Sequence, residues 1–143
     1  MSTREAQNKD LVRSFVEEIF NKSNLAVLDQ FVTADIADHK PPFPGLPPGI
    51  EGSRQVFAAF HAAFPDARVT IEDMVAEGDR IVWRWTFSGT NQGSLMGMPP
   101  TGKPVTFTGI DIFRMADGKI VERWANEDDL GMMQQLGMAP PPG

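Results

Sequence analysis

The chain has 143 residues, with 41% hydrophobic and 22% charged content and a net charge of −6. That describes one globular domain, spanning residues 1–143, with enough chain to bury a core; its acidity argues against nucleic-acid binding, which normally shows a basic patch. Cysteine is absent and histidine is limited to His39 and His61, so neither a disulfide framework, a thiol nucleophile nor a His-rich metal site is expected.

The N-terminal stretch is polar, and no apolar run is long enough to cross a membrane, which predicts a cytoplasmic protein. From about Thr3 to Asn21, Leu11, Phe15 and Ile19 recur with helical spacing beside Val12, Val16 and Phe20; Ser2 or Thr3 is placed to cap this helix. A second short helix is expected over Leu25 to Val32. Asp35 to Pro48 is expected to be irregular, because its prolines exclude a helix interior and a central strand. It suits an ordered loop at a pocket rim more than a polyproline ligand, since it lies between two core elements. Ser53 is the expected N-cap of a third helix ending at Phe64, with Val56, Phe57, Phe60 and Phe64 as its apolar stripe.

Arg68 to Glu127 has the pattern of an antiparallel sheet. Val69 to Val75 and Ile81 to Phe87 form two strands about the turn Glu77-Gly78-Asp79; a loop from Gly93 to Pro104 follows. The strongest local signal is the hairpin from Val105 to Asp128, whose turn is Ala116-Asp117-Gly118-Lys119. Alternation in its first strand puts Asp111 on one face with Val105, Phe107 and Phe113. A carboxylate on an apolar face is costly unless it is paired or keeps a proton, which makes Asp111 the leading candidate for a functional group. A short helix, Leu130 to Leu136, ends at Gly137, and a proline-rich tail follows. Helices followed by a meander predict an α+β fold with three N-terminal helices on one face of a curved antiparallel sheet.

Several spaced motifs together resemble the SnoaL-like polyketide cyclases of the nuclear transport factor 2-like superfamily. They are Asp38-His39 before Pro41, Gly49-Ile50-Glu51-Gly52, Phe64-Pro65-Asp66, Glu77-Gly78-Asp79, Met98-Pro99-Pro100-Thr101-Gly102-Lys103, Asp117-Gly118-Lys119-Ile120-Val121-Glu122, Trp124, Asp128 and Gln135-Leu136-Gly137. They run in family order over nearly the whole chain. The resemblance implies a cone-shaped α+β barrel around one deep apolar pocket, homodimers or higher homo-oligomers packed through the sheet, and no cofactor. It also implies an intramolecular aldol closure using an aspartate on the last strand and a histidine on the strand before. Aligned without gaps from Gly118, those positions hold Ala125 and Asp111. The fold therefore follows from the resemblance and the particular reaction does not, because the superfamily also holds hydroxylases, epoxide hydrolases, isomerases and silent members.

The candidate catalytic residues are Asp111, His39 and Asp128. Asp111 is either a base in an apolar pocket or the structural partner of Arg84 or Arg123. His39 is either a proton shuttle or the tie of the proline loop. Asp128 either reaches the pocket mouth or, like Asp129, caps the following helix. His61, at helical spacing between Phe57 and Phe64, is read as structural. Phe107 and Phe113 are expected to line the pocket, Trp124 to provide a flat wall for a planar substrate, and Asn126 to donate to a substrate oxygen. Met96 and Met98 are expected at the pocket rim or a subunit contact.

Two main readings follow. One is an enzyme acting without a cofactor, by general acid/base chemistry, on a hydrophobic cyclic or aromatic carbonyl compound. The other is a non-catalytic small-molecule binding or oligomerisation module, which the loss of the aspartate at Ala125 favours. A hydroxylase or hydrolase relative is a third; the absence of any tyrosine weighs against an epoxide hydrolase that positions its water with one.

Overall fold

The long N-terminal helix begins as α1, Thr3–Phe15, and runs straight on into π-helical turns over Val16–Asn21. Its inward stripe, Val12, Phe15, Val16 and Ile19, is fully buried. The computed structural model describes residues 3–141, so Ser2 and the tail residues Pro142 and Gly143 lie outside the described residues. The expected second helix is only a 3₁₀ segment, Leu25–Gln30, after which the chain extends into β1, Val32–Asp38. This corrects both the helix expected to run through Val32 and the irregular start expected at Asp35. Only Val32 and Ile36 of β1 are buried, so its side chains carry little strand signal. The strand is defined by backbone pairing with a partner far along the chain.

Helix α2, Ile50–Ala63, starts one turn earlier than Ser53. Its N-cap is Gly49 at φ 74°, where a Cβ would stand 2.3 Å from the Ala34 carbonyl oxygen. The close crossing of Gly49 over β1 thus fixes the helix start, which glycine alone allows. Ser53 is inside the helix and lines a cavity.

Strands β2 (Arg68–Glu77), β3 (Arg80–Thr90), β4 (Pro104–Ala116) and β5 (Lys119–Glu127) form the expected antiparallel meander. Strand β1 adds to β5 in parallel, giving the order β1-β5-β4-β3-β2. The sheet is therefore mixed, and it is curved without closing into a barrel: β1 and β2 remain its edges. The helices pack on its concave face. Phe15 meets Phe113 edge-on with ring centres 5.8 Å apart, and Phe64 meets Phe87 at 5.3 Å.

Alternation in β4 follows expectation. Val105, Phe107, Asp111, Phe113 and Met115 are buried on the concave side, whereas Ile110 is 46% exposed on the outer side. The β4–β5 turn has positive φ at both Asp117 (50°) and Gly118 (75°), the geometry that Asp-Gly favours in a two-residue hairpin. Three residues beyond the turn the pairing slips. Met115 faces Ile120 but Arg114 faces Glu122, leaving Val121 as an extra residue in a β-bulge. A one-residue slip exchanges the two faces of a strand. Beyond the bulge Arg123, Ala125 and Glu127 share the concave face with Phe113, Asp111 and Gly109, while Trp124 and Asn126 join Ile112 and Ile110 outside.

Helix α3, Asp129–Gln135, completes the fold and ends with Gly137 at φ 77°. Among the described residues no helix is long and apolar enough to cross a membrane.

Candidate functional site

A cavity of about 100 Å³ lies between the concave face of the sheet and the helices. Its walls are mostly apolar, with aromatic rings that include Phe15, Phe57, Phe60, Trp83, Trp85 and Phe107. Asp38, Asp111, Arg123 and Glu127 also line it, and these four form one connected group. Asp38 ends β1, Asp111 comes from β4, and Arg123 and Glu127 are inward positions of β5.

Arg123 is the hub. Its Nε donates to Asp111 Oδ2 at 2.8 Å. Its Nη1 donates to both oxygens of Asp38, at 3.0 and 3.1 Å, and to the Lys40 carbonyl oxygen at 3.0 Å. Its Nη2 makes only a long contact, 3.5 Å, to Glu127 Oε1. Burial works against the guanidinium charge, but Asp111 and Asp38 overcome it and hold the Arg123 pKa above its usual range. The other oxygen of Asp111, Oδ1, accepts from Trp85 Nε1 at 3.0 Å. This bond depends on Gly109. The Trp85 ring lies over that residue, in the space a Cβ would fill.

Among the described residues Glu127 has no short partner. Besides Arg123 it faces Lys40 Nζ at 4.0 Å, but Lys40 spends its own short bond, 3.0 Å, on Asp129. Burial pushes the Glu127 carboxyl above its ordinary pKa, with the negative charges of Asp129 and Asp111 adding and Arg123 opposing. The sign for stability follows. Below the ordinary glutamate pKa both native and unfolded chains carry the proton and the cost is absent; above the raised native value the full cost of the buried charge is present. Glu127→Gln is therefore expected to raise the melting temperature at neutral pH, with the gain fading as the pH falls to about 4. Thermal melts of both proteins across this range check it; a gain that does not depend on pH would exclude the buried charge as its cause.

The structure brings only part of the expected set together. Asp111, Phe107 and Phe113 line the cavity. Asp111 is paired, through Arg123 rather than Arg84, since Arg84 binds Asp73 on the outer face. His39, Trp124 and Asn126 are not at the cavity, which corrects their expected position. His39 Nε2 bonds Glu122 Oε2 at 2.7 Å, and its ring stacks on Trp124 with centres 5.0 Å apart; Arg80 covers the same indole. Glu122, bonded by Arg114 and then by His39, has a lowered pKa. Asn126 is on the outer face across from Ile110. Asp128 is exposed and caps α3, its Oδ1 accepting from the Gly131 amide at 2.9 Å. His61, as expected, has a structural bond, 2.9 Å between Nε2 and the Phe20 carbonyl oxygen.

The proline loop is ordered at the rim. Pro42 lines the cavity, and Phe43 stacks on Phe60 at 5.8 Å. A second cavity of about 290 Å³ lies under Leu46 to Gly49 and shares Ile36, Asp38, Ser53 and Val56 with the first. Met96 and Met98, half exposed on the tip of the β3–β4 loop, do not reach either cavity. The residues missed from sequence are Asp38 and Glu127, while Arg123 was expected only as a partner of Asp111. Alternation in β5 puts the last two on one face; only the bulge decides that this face is the inner one.

Comparison with known proteins agrees with this architecture. The family model of SnoaL-like polyketide cyclases matches residues 10–136. Among solved structures, TsrD from Streptomyces laurentii superposes with a TM-score of 0.85 at 31% identity, covering 97% of this chain and 99% of that one. A protein from Bacillus cereus, described as a candidate polyketide cyclase, gives 0.82 at 32% identity, covering 96% of this chain and 86% of that one. AclR from Streptomyces galilaeus, described as a candidate hydroxylase, gives 0.82 at 26% identity over 97% and 86% of the two chains. No curated protein sequence matches the chain.

Proposed function

We infer a function from one premise: the chain belongs to the SnoaL-like polyketide cyclase family. The reading best supported is an enzyme that binds a hydrophobic cyclic or aromatic carbonyl compound in the aromatic cavity and moves a proton next to its carbonyl group. The observation that carries it is the convergence of Asp38, Asp111, Glu127 and Arg123 on a cavity otherwise walled mainly by aromatic and aliphatic side chains. Such a site supplies a buried carboxylate to take a proton and a fixed cation to hold the negative charge that develops on oxygen. In an intramolecular aldol closure, a carboxylate takes the proton from the carbon beside one carbonyl and the enolate stays on the oxygen facing Arg123. The enolate carbon then bonds to a second carbonyl carbon of the same molecule, whose oxygen recovers the proton. Asp111 serves this chemistry by fixing Arg123, and copies of the chain pair through the outer face, where Val82 and Ile110 stay exposed.

The test needs no knowledge of the natural substrate. 2-Tetralone incubated with the protein in D₂O is expected to gain deuterium beside its carbonyl faster than in buffer, and Asp111→Asn, which releases the Arg123 guanidinium from its place, is expected to lose at least about 100-fold of that rate. Mass spectrometry of the ketone reads the result. Tight binding with no exchange would replace the enzyme by a binding module. One observation favours that second reading: Ala125 faces Asp111 across the strands on the inner side, so a methyl group stands where the family's acid/base residue is expected. The likeness to AclR supports a hydroxylase relative as a further alternative.

A further inference from the structure

We propose that Glu127 is the proton-transferring residue of this site and that Arg123 Nη2 beside it receives the substrate's carbonyl oxygen. The proposal rests on the enzyme reading above and assigns its two working atoms.

The four cavity groups are not equivalent. Each oxygen of Asp111 already accepts a short bond, one from Trp85 and one from Arg123. Asp38 is equally committed: Oδ1 accepts from the Lys40 amide at 2.9 Å, and both of its oxygens bind Arg123 Nη1. These two aspartates form a clamp. Between them they occupy Nε and Nη1 of the guanidinium and set its plane. A carboxylate held by two fixed donors is a poor choice for a group that must gain and lose a proton, since protonation breaks one of those bonds.

Glu127 is free of such commitments. Its contacts to Arg123 and Lys40 are 3.5 and 4.0 Å, beyond good hydrogen-bond length. It lines the cavity, and its side chain is 12% exposed. Its cross-strand neighbour is Gly109, so β4 puts no side chain opposite it. The raised pKa caused by burial fits a group that returns the proton it takes.

Arg123 Nη2 carries two hydrogens and, among the described residues, makes only the long contact to Glu127, so it keeps donor capacity for a ligand. The geometry pairs an open donor and an open acceptor 3.5 Å apart. A ketone presents the complementary pair, an oxygen acceptor and an acidic C–H on the adjacent carbon. With the oxygen on Nη2, the C–H bond breaks as its proton passes to a Glu127 carboxylate oxygen, and the electron pair moves to the carbonyl oxygen as an enolate. Reprotonation or carbon–carbon bond formation completes the step without any oxidant or further reactant. The site accordingly selects neutral ketones with an enolisable position over carboxylic acids, whose anion would meet three carboxylates.

The test is the same exchange of 2-tetralone in D₂O, now with Glu127→Gln and Glu127→Ala, each checked for wild-type near-ultraviolet circular dichroism. Glu127→Gln is expected to lower the exchange rate at least about 100-fold while the dissociation constant for the ketone changes less than about threefold. Glu127→Ala is expected to be equally slow and to recover with added formate, in proportion to its concentration, because the small acid occupies the vacated space. Wild-type exchange in Glu127→Gln would overturn the assignment and leave the enzyme reading intact. Lost exchange in both variants with no recovery by formate would also overturn it, making Glu127 a structural group. Absence of exchange in the wild-type protein would overturn the enzyme reading, and this assignment with it. Should Glu127→Gln fail to fold, the formate series on Glu127→Ala decides alone.

Discussion

Arg123→Ala is expected to cost about 3–5 kcal/mol of stability, because it leaves buried carboxylates without the cation they share. For a chain of this length that corresponds to a fall in melting temperature of roughly 10–17 °C. Three acidic side chains, Asp38, Asp111 and Glu127, now share Arg123, and their mutual repulsion would be released all at once. The sign with pH is fixed by the same picture. Arg123 opposes the raised pKa of buried Glu127, so without it protonation of Glu127 offsets part of the deficit as the pH falls from neutral. Arg123→Lys keeps the charge without the planar fork and cannot serve Asp111, Asp38 and the Lys40 carbonyl together; it is expected to recover only part of the loss. Urea titrations of the three proteins at two pH values test this. A deficit for Arg123→Ala below about 1 kcal/mol, within the range of an exposed pair, would show that the cluster does not hold the fold.

Gly109→Ala, the smallest change open to that residue, is expected to cost about 1–3 kcal/mol through overpacking. The added Cβ would stand 2.3 Å from Cζ2 of Trp85 and 2.8 Å from two more atoms of the same ring. The ring is packed edge-on against Phe107 with centres 5.7 Å apart and lies beside Trp83, so it can retreat only by disturbing these contacts or moving into the cavity it lines. Any tilt that relieves the clash pulls Nε1 away from Asp111, so one methyl group disturbs both the core and the charge cluster. A double-mutant cycle separates the two effects. Phenylalanine lacks the outer ring that carries Cζ2, so Trp85→Phe combined with Gly109→Ala is expected to cost less than the sum of the single changes. Strict additivity would mean that the indole does not depend on the glycine.

Much of this was legible in the sequence, for reasons that can be located. The long first helix, the four-strand meander and the closing helix all carry side-chain periodicity, and the Asp117-Gly118 turn carries its own conformational signature. Asp111 stood out because a strand with one buried face makes a lone carboxylate conspicuous. Strand β1 was hidden because what builds it is not periodic: it lies at an edge, buries only Val32 and Ile36, and takes its partner from the far end of the chain. The start of α2 was hidden because a tight crossing at Gly49, rather than a capping side chain, sets it.

The site was legible in half. Asp111, Phe107 and Phe113 follow from alternation along one strand. Trp124 and Asn126 were expected beside the site from their place on the last strand. The extra residue at Val121 leaves them on the outer face and turns Arg123 and Glu127 inward. His39 was drawn outward by the same shift, since the stacked Trp124 and the bonded Glu122 both face away from the cavity.

The bulge at Val121 also bears on how such a scaffold acquires new chemistry. Straightening the bulge, or one inserted residue beside it, leaves the turn and β4 in place while it trades the side-chain set Arg123, Ala125, Glu127 for the set Glu122, Trp124, Asn126 at the cavity wall. A lineage can then replace several catalytic groups in a single event, without passing through each substitution in turn. Closely related chains can therefore share a backbone and differ in reaction because of where the reading of one strand slips.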